Sequence, residues 1–274
     1  MKDKQARTLY SLAVLFSLTL LFLSQTLFPA TSSAPKAEPG LAATTQSLAS
    51  PANNQFGADA ARLENQSELR KEDVLQWASA FTVEVWINLE DGSEAPASGI
   101  IVGHGDYVLT NSHVVRNNPH PKVRSRGEMG VEKEYSAHVV AERPEKDLAL
   151  IALEGVSGLP TAPLATSSKS VGPGDQVYMV GSPHGSHWKL TESEVLRTES
   201  PCGILHLLCI RSGAGALAPG NSGGPLLNKG GEVIGINRAI QLSSGEGVSI
   251  PIEEVLTFLS DSGIPLSISK QQEL

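Results

Sequence analysis

Short apolar and β-branched runs follow one another along the chain between residues 82 and 251. Gly, Pro, Asn and Asp separate these runs, which is the pattern of strands joined by turns. The pattern predicts a first group of strands at 82–89, 98–102, 107–110, 131–135, 137–141 and 148–153. After a loop rich in Gly, Ser and Pro, a second group is predicted at 176–180, 190–197, 204–211, 225–227, 232–239 and 247–251. Two groups of six short strands favour an all-β fold of two closed or nearly closed antiparallel barrels.

Short helices are predicted at both ends of this strand-rich region, at 68–80 and at 252–260. Residues 31–66 are rich in Ala, Ser, Thr, Pro, Gln and Asn and have no sustained apolar period, which is typical of a flexible linker. The predicted organisation is therefore a leader at 1–30, a linker at 31–66, a folded domain at 67–262 and a C-terminal tail at 263–274.

The leader contains an uncharged stretch of twenty residues at 9–28, and Lys2, Lys4 and Arg7 precede it. A helix of that length would be about 30 Å long, the thickness of a bilayer core. Basic residues before it predict a cytoplasmic start and an exported remainder. The stretch fits a cleaved signal peptide and an uncleaved inner-membrane anchor equally well, and both place the body in the periplasm or cell envelope.

The formal net charge of −8 disfavours nucleic acid as a partner. The seven histidines show no paired spacing typical of metal ligands, so neither a metal nor another cofactor is predicted. Cys202 and Cys209 are the two cysteines. In an oxidising compartment they could bridge a hairpin and contribute roughly 2.5 kcal/mol of stability, whereas the alternative is a pair of buried free thiols.

The segment Gly220–Pro225 places Ser222 on a turn with glycines on both sides. A serine hydroxyl is a weak nucleophile, so catalysis requires a neighbouring base and donors for the developing oxyanion. Glycine permits the sharp backbone that such donors need. The amides of Gly220 and Ser222 are therefore predicted to form an oxyanion hole.

A histidine and an aspartate elsewhere in the chain could complete this chemistry. His113 follows a predicted apolar strand, and Asp147 immediately precedes another. Each could be purely structural alone, since an aspartate at a strand entry is commonly a turn or cap residue. Together, His113 would act as general base for Ser222, and Asp147 would orient the imidazole and stabilise its cation.

These motifs resemble those of trypsin-like serine proteases, and most closely the protease domain of HtrA/Deg envelope proteases. The similar segments are 98–102, 109–115, 147–151, 174–177, 181–185, 219–225 and 231–237, and the resemblance covers about residues 70–262. The resemblance implies a chymotrypsin-like fold of two six-stranded barrels, polypeptide substrates and a homotrimer. Unlike most of that family, the chain shows no PDZ domain after the protease region, and the cysteine pair is not a general family feature.

The resemblance also implies how substrate is bound. Ala216 and Leu217 would line an apolar pocket, which predicts small or medium aliphatic side chains before the scissile bond. Gly235, Ile236 and Asn237 would form the edge strand that pairs with the substrate backbone.

We therefore expect an exported serine endopeptidase that hydrolyses unfolded or damaged envelope proteins. Two alternatives stay open: a chaperone or binding module with a resting, inactive protease fold, and a dedicated processing protease with one partner.

Overall fold

The computed structural model describes residues 71–89, 91–126, 131–203 and 207–266. Residues 67–274 form one compact unit. The predicted leader, its apolar stretch at 9–28 and the predicted linker lie outside the described residues. None of the helices in the described part of the chain has the length and apolar character needed to cross a membrane.

The first half of the described chain forms a closed antiparallel barrel. Its strands are β1 (Thr82–Asn88), β2 (Glu94–Val102), β3 (Tyr107–Thr110), β4 (Lys122–Arg126), β5 (Glu132–Arg143) and β6 (Leu148–Leu153). They pair in the order β1-β2-β3-β6-β5-β4, and β4 pairs with β1 to close the barrel.

The second half forms another closed antiparallel barrel. Its strands are β7 (Gln176–Gly181), β8 (Lys189–Pro201), β9 (Leu208–Ala214), β10 (Pro225–Leu227), β11 (Val233–Ile240) and β12 (Glu246–Pro251), in the order β10-β11-β12-β9-β8-β7. Helices are α1 (Lys71–Ser79), α2 (Ser112–Val115) and α3 (Ile252–Asp261). The predicted all-β fold of two six-stranded barrels with short terminal helices is confirmed.

Individual strands of the first barrel differ from the prediction. The strands predicted at 131–135 and 137–141 are one strand, β5, whose pairing with β6 shifts register between Val139 and Ala141. β4 was not predicted, because Val123 is its only apolar residue and Lys122, Arg124 and Arg126 alternate with the inward-facing positions. A strand with so little apolar surface is recognised only when its partners β1 and β5 are in place.

Each barrel closes around its own apolar core. Val83, Val85, Ile101, Val108 and Ile151, among others, fill the first barrel. The second is filled by a cluster of the same kind, which includes Val177, Met179, Ile210, Leu226 and Ile234. Because β-branched residues suit a pleated surface that is buried on one side, these short runs form strands and pack inward.

A buried carboxylate bridges the two barrels. The side chain of Glu84 on β1 is 1% exposed. Its Oε1 accepts hydrogen bonds from Ser182 Oγ at 2.7 Å and from His187 Nδ1 at 2.8 Å, and its Oε2 accepts one from Trp86 Nε1 at 3.0 Å. Trp188 Nε1 adds a second link by donating to the Thr82 carbonyl at 2.7 Å. The loop after β7 is thereby attached to the first strand of the other barrel.

A disulfide joins Cys202 to Cys209, and the two Cα atoms are 5.6 Å apart. Cys202 follows the end of β8, and Cys209 is the second residue of β9. The bond therefore links the ends of two neighbouring strands of the second barrel.

Truncating a core side chain of the second barrel should destabilise the protein strongly. Leu226 is fully buried, so we expect Leu226→Ala to lower the free energy of unfolding by about 2–5 kcal/mol through lost burial and the cavity that remains. Leu242 is 65% exposed, and Leu242→Ala should change that free energy by about 0.5 kcal/mol or less. Urea titrations of the full chain measure both values, and equal losses would contradict the assigned core.

Candidate active site

His113 lies on the short helix α2, which follows β3 directly. Asn111, the residue before the helix, has an extended backbone with φ −84° and ψ 148°. Its Nδ2 donates to the Asp147 carbonyl at 3.1 Å. The His113 side chain is 13% exposed, and its Nδ1 lies 2.9 Å from Asp147 Oδ2. A four-residue helix fixed at its start to the segment before β6 thus holds the imidazole against a carboxylate.

Asp147 occupies a backbone conformation that few residues adopt. It has φ 57° and ψ 42°, in the left-handed region where Asp and Asn are enriched among non-glycine residues. Its N–H donates to the Pro144 carbonyl at 3.1 Å, which closes a short 3₁₀ turn over Pro144–Lys146. The turn aims the carboxylate at His113, whose backbone N–H donates to Oδ1 at 2.9 Å.

Opposing effects act on the pKa of the Asp147 carboxyl. Burial raises this pKa, while the charge and hydrogen bonds of His113 and the charge of Arg238 lower it, and the net pKa lies below its usual value. The ionised carboxylate is acceptor only, so the facing Nδ1 of neutral His113 carries the hydrogen. Nε2 is then the ring nitrogen that can accept a proton.

Two glycines of the turn that carries Ser222 combine a positive φ with a close approach to another segment. Gly220 has φ 102°, and a Cβ there would lie 2.1 Å from the Ser182 carbonyl oxygen. Gly223 has φ 86°, and a Cβ there would lie 2.1 Å from the Ser98 carbonyl oxygen. Both the backbone angles and the lack of space exclude a larger residue, so the glycines that the sequence analysis singled out are structural requirements of this turn.

Ser98 attaches this turn to the first barrel. Its N–H donates to the Ser222 carbonyl at 2.8 Å, and its hydroxyl donates to the Gly220 carbonyl at 2.7 Å. The Ser98 carbonyl accepts a hydrogen bond from Thr110 Oγ1 at 2.7 Å. Ser98 lies on β2 and Thr110 ends β3, so the strand that leads to His113 also supports the Ser222 turn.

The Ser222 hydroxyl donates to the Arg238 carbonyl at 3.0 Å. Within the described part of the chain, no hydrogen bond joins it to His113. The structure therefore brings His113 and Asp147 into direct contact, whereas the Ser222 hydroxyl is hydrogen-bonded to the Arg238 carbonyl of β11.

Two backbone amides of the Ser222 turn are available to an acceptor. The Pro219 carbonyl accepts from the His184 N–H at 2.8 Å. Because a trans peptide holds C=O and N–H on opposite sides, the Gly220 N–H points away from His184. Among the described residues, neither this N–H nor that of Ser222 donates a hydrogen bond. Unpaired amides close together on one turn can bind a negative oxygen.

The predicted substrate-binding residues lie on two neighbouring segments. Ala216 and Leu217 are buried and pack into the core of the second barrel. Gly235 and Ile236 are paired with β10 on one side and with β12 on the other. The Asn237 N–H donates to the Gly224 carbonyl, and the Asn237 carbonyl accepts from the Gly223 N–H.

The prediction of a sheet edge at 235–237 therefore needs correction. β10 runs antiparallel to β11 and begins at Pro225, opposite Ile236, and Asn237 is bonded to Gly223 and Gly224 just before it. Beyond Asn237 the strand β11 therefore pairs only with β12 among the described residues. The open edge begins at Arg238. The predicted edge lies too early in β11, because the register of β10 against β11 cannot be seen in a local sequence pattern.

The contact of Arg238 with Asp147 was not predicted from the sequence. Arg238 Nε donates to Asp147 Oδ2 at 2.9 Å, and the arginine side chain is 11% exposed. The direction of an arginine side chain at a register shift in β11 has no signature in the sequence. In the described part of the chain, no group of three or more His, Cys, Asp or Glu side chains could hold a metal ion.

Removing the Asp147 charge should reduce the acid sensitivity of the fold. Because its pKa is lowered in the folded state, Asp147 stabilises the fold above its usual pKa of about 3.9, and this stability is lost as the pH falls through the folded pKa. We expect Asp147→Asn to give a smaller fall in the free energy of unfolding between about pH 6 and pH 3 than the unchanged chain. Asp261→Asn, at a 55% exposed carboxylate paired with Arg143, is the matched control and should follow the unchanged chain. Parallel curves for all three proteins would contradict the assignment.

Comparison with known proteins agrees with this fold. The model of the trypsin-like peptidase domain family matches residues 97–236, a span that includes His113, Asp147 and Ser222. A protein of Marinomonas sp. (strain MWYL1) named "Probable periplasmic serine endoprotease DegP-like" is 38% identical over 157 residues, 57% of this chain and 32% of that protein. Serine protease HTRA1 of Xenopus tropicalis is 34% identical over 174 residues, 61% of this chain and 36% of that protein.

A solved structure of the HtrA-type protease AlgW with a tripeptide superposes with a TM-score of 0.61 and 26% identity, covering 72% of this chain and 65% of that one. The chain matches about a third of the length of these curated relatives, namely their protease region. The predicted resemblance and enzyme class, a serine endopeptidase, are confirmed at the level of the family. The chain therefore belongs to the trypsin-like peptidase domain family, and its protease region is similar to those of HtrA-type proteases.

Proposed function

We propose that this chain is an exported serine endopeptidase in which Ser222 is the nucleophile, His113 the general base and Asp147 its orienting partner. One observation carries the proposal. The buried His113–Asp147 pair belongs to the first barrel, and Ser98 of that barrel also anchors the turn bearing Ser222. These contacts connect both His113 and Ser222 to the first barrel and so support a common site between the two barrels.

The reaction begins when the Ser222 hydroxyl leaves the Arg238 carbonyl and donates to His113 Nε2. Catalytic hydrogen bonds of this type commonly tighten only when substrate is bound. His113 removes the proton as Ser222 Oγ attacks the substrate carbonyl carbon, and the imidazolium that forms is stabilised by Asp147. His113 then returns the proton to the leaving amine, and water hydrolyses the acyl-enzyme by the same route.

The oxyanion of each tetrahedral intermediate would bind to the amides of Gly220 and Ser222. These donors are fixed before the reaction by Ser98, by the glycine conformations and by the bond between Pro219 and His184. Such preorganised donors contribute about 3–4 kcal/mol each to the transition state.

We propose that substrate binds in an extended form along the open part of β11, residues 238–240, as an added strand. Ala216 and Leu217 would then contribute an apolar floor to the pocket for the residue before the scissile bond. Both side chains are apolar and more than nine-tenths buried, so a charged substrate side chain would find no partner in them. Small or medium aliphatic residues are the expected preference.

The proposed substrates are unfolded or damaged envelope polypeptides. Support for an envelope location comes from the basic and apolar leader, from the disulfide and from the periplasmic DegP-like relative. The proposed domain lies at 67–262, after a leader at 1–30 that is either removed or kept as an inner-membrane anchor and a linker at 31–66. Assembly as a homotrimer and the absence of a metal or other cofactor complete the proposal.

One observation favours the second candidate function, a binding or chaperone module with a resting site. The Ser222 hydroxyl is engaged by the Arg238 carbonyl and is not hydrogen-bonded to His113 within the described residues. The two functions are separated by whether Ser222 becomes reactive.

Covalent labelling distinguishes these two functions directly. A fluorophosphonate probe should label the chain at Ser222, since it reacts with serines activated by a base, and Ser222→Ala should abolish both labelling and casein hydrolysis while the fold is retained. Ser243→Ala, at an exposed loop serine, is the control and should label fully. Substantial hydrolysis by Ser222→Ala would refute the assignment, and failure to label the unchanged chain under any condition would favour the binding module.

Substrate preference tests the proposed pocket and edge. Unfolded casein should be cleaved while a folded protein of similar size resists, because only an extended segment can add to β11. Among matched peptides, valine before the scissile bond should give a kcat/KM at least about tenfold above arginine, which the apolar floor cannot pair. Cleavage of one partner alone, with casein untouched, would instead indicate a dedicated processing protease.

A further inference from the structure

Arg238 lies at an irregularity of β11, beside the candidate nucleophile. Asn237 is opposite Ser249 and Ala239 is opposite Val248, so Arg238 is the extra residue between two pairs. Bulges of this kind redirect a side chain and are common beside active sites. Here the guanidinium is turned into the protein and is 11% exposed.

The side chain of Arg238 connects two parts of the structure. Its Nε donates to Asp147 Oδ2 at 2.9 Å, on the oxygen that also lies 2.9 Å from His113 Nδ1. Its NH1 donates to the Cys202 carbonyl at 3.2 Å. Cys202 is in turn bonded to Cys209 on β9. A continuous set of contacts therefore runs from the disulfide through the guanidinium to the carboxylate.

We propose that Arg238 is a positioning residue, which holds the Asp147 carboxylate against His113 and is itself held by the disulfide-bonded Cys202. This inference rests on the proposed roles of Ser222, His113 and Asp147. Arg238 does not contact the reacting atoms through its side chain. It acts through Asp147.

The charge of Arg238 has a consequence beyond orientation. Arginine stays protonated throughout the working pH range, so Asp147 always faces one cation. A cation on His113 would share the same carboxylate oxygen with the guanidinium, so two positive charges would lie close together. Asp147 before β6 interacts electrostatically with His113 on α2 and with Arg238, and Arg238 also interacts with Arg211 on β9. Arg238 should therefore extend activity toward lower pH.

The disulfide would keep the Cys202 carbonyl in place for Arg238. Arg211 supports the same segment, since its NH2 donates to the neighbouring Pro201 carbonyl. Reduction by a dithiol transfers two electrons and two protons to the protein: the Cys202–Cys209 bond is replaced by two thiols, and the reductant becomes a cyclic disulfide. The carbonyl is then no longer fixed to β9, and Arg238 loses one of its anchors.

Replacing Arg238 separates orientation from charge. We expect Arg238→Met to lower kcat about tenfold with KM changed less than about twofold, because the carboxylate is less well placed. The midpoint of the acid limb of kcat/KM should rise by about one pH unit, because the cation is gone. Arg238→Lys keeps the charge, so its midpoint should stay with the unchanged chain while its kcat falls. A kcat loss without a pH shift in Arg238→Met would reduce Arg238 to a merely structural residue and overturn the proposal.

The link to the disulfide is tested by combining the two changes. Dithiol treatment, or Cys202→Ser with Cys209→Ser, should move the unchanged chain toward the Arg238→Met profile and leave Arg238→Met unaffected, because the two changes break the same set of contacts. An equal effect of reduction on both proteins would overturn the link. Circular dichroism checks that each variant is folded, and Arg238→Gln serves if Arg238→Met is not.

Fluorophosphonate labelling keeps this proposal distinct from the proposed function. If the unchanged chain is never labelled, the proposed function fails. If all variants are labelled and share one pH profile, the proposed function stands and the role of Arg238 is refuted.

Discussion

The attachment of the Ser222 turn to the first barrel is the constraint on which the candidate site depends. Neither barrel contains the site alone, because His113 and Asp147 belong to the first and Ser222 to the second. The Ser98 N–H donates to the Ser222 carbonyl at 2.8 Å, and the Ser98 hydroxyl donates to the Gly220 carbonyl at 2.7 Å. Such short bonds to backbone, buried between two closed barrels, fix the turn more firmly than a contact between long side chains would.

The glycines of the turn follow from this attachment. Gly220 and Gly223 lie where a Cβ would meet a carbonyl oxygen at 2.1 Å, and in each case that oxygen belongs to a residue that links the barrels, Ser182 or Ser98. The same turn carries the amides of Gly220 and Ser222, which donate no hydrogen bond within the described residues. A tightly packed turn therefore holds two unpaired donors.

Much of the architecture could be predicted from the sequence, because alternating apolar runs and turn residues are local signals. Almost every strand of the second barrel was predicted. His113, Asp147 and the Ser222 turn were all named as candidate catalytic positions. β4 could not be found in this way. It has one inward apolar residue, and its strand character comes from pairing with β1 and β5. Its stability as a strand is a property of the closed barrel.

The surroundings of the site depended on register, which local patterns do not determine. The open edge of β11 begins at Arg238 because β10 begins at Pro225, opposite Ile236, and this alignment joins different parts of the chain. The direction of Arg238 toward Asp147 follows from the same irregularity. The positions of residues marked by type and motif could be predicted, whereas contacts that depend on long-range alignment could not.

Glu84 couples the evolution of positions that are far apart in the sequence. Its buried carboxylate accepts hydrogen bonds from Trp86, Ser182 and His187, which come from β1 and from the loop after β7. Loss of Glu84 would leave the buried Ser182 hydroxyl without its acceptor, at a cost of about 1–3 kcal/mol. Among relatives of this chain, the residues at positions 84 and 182 should therefore vary together. Sequence divergence at the boundary between the two barrels would then proceed by paired replacements and not by independent drift.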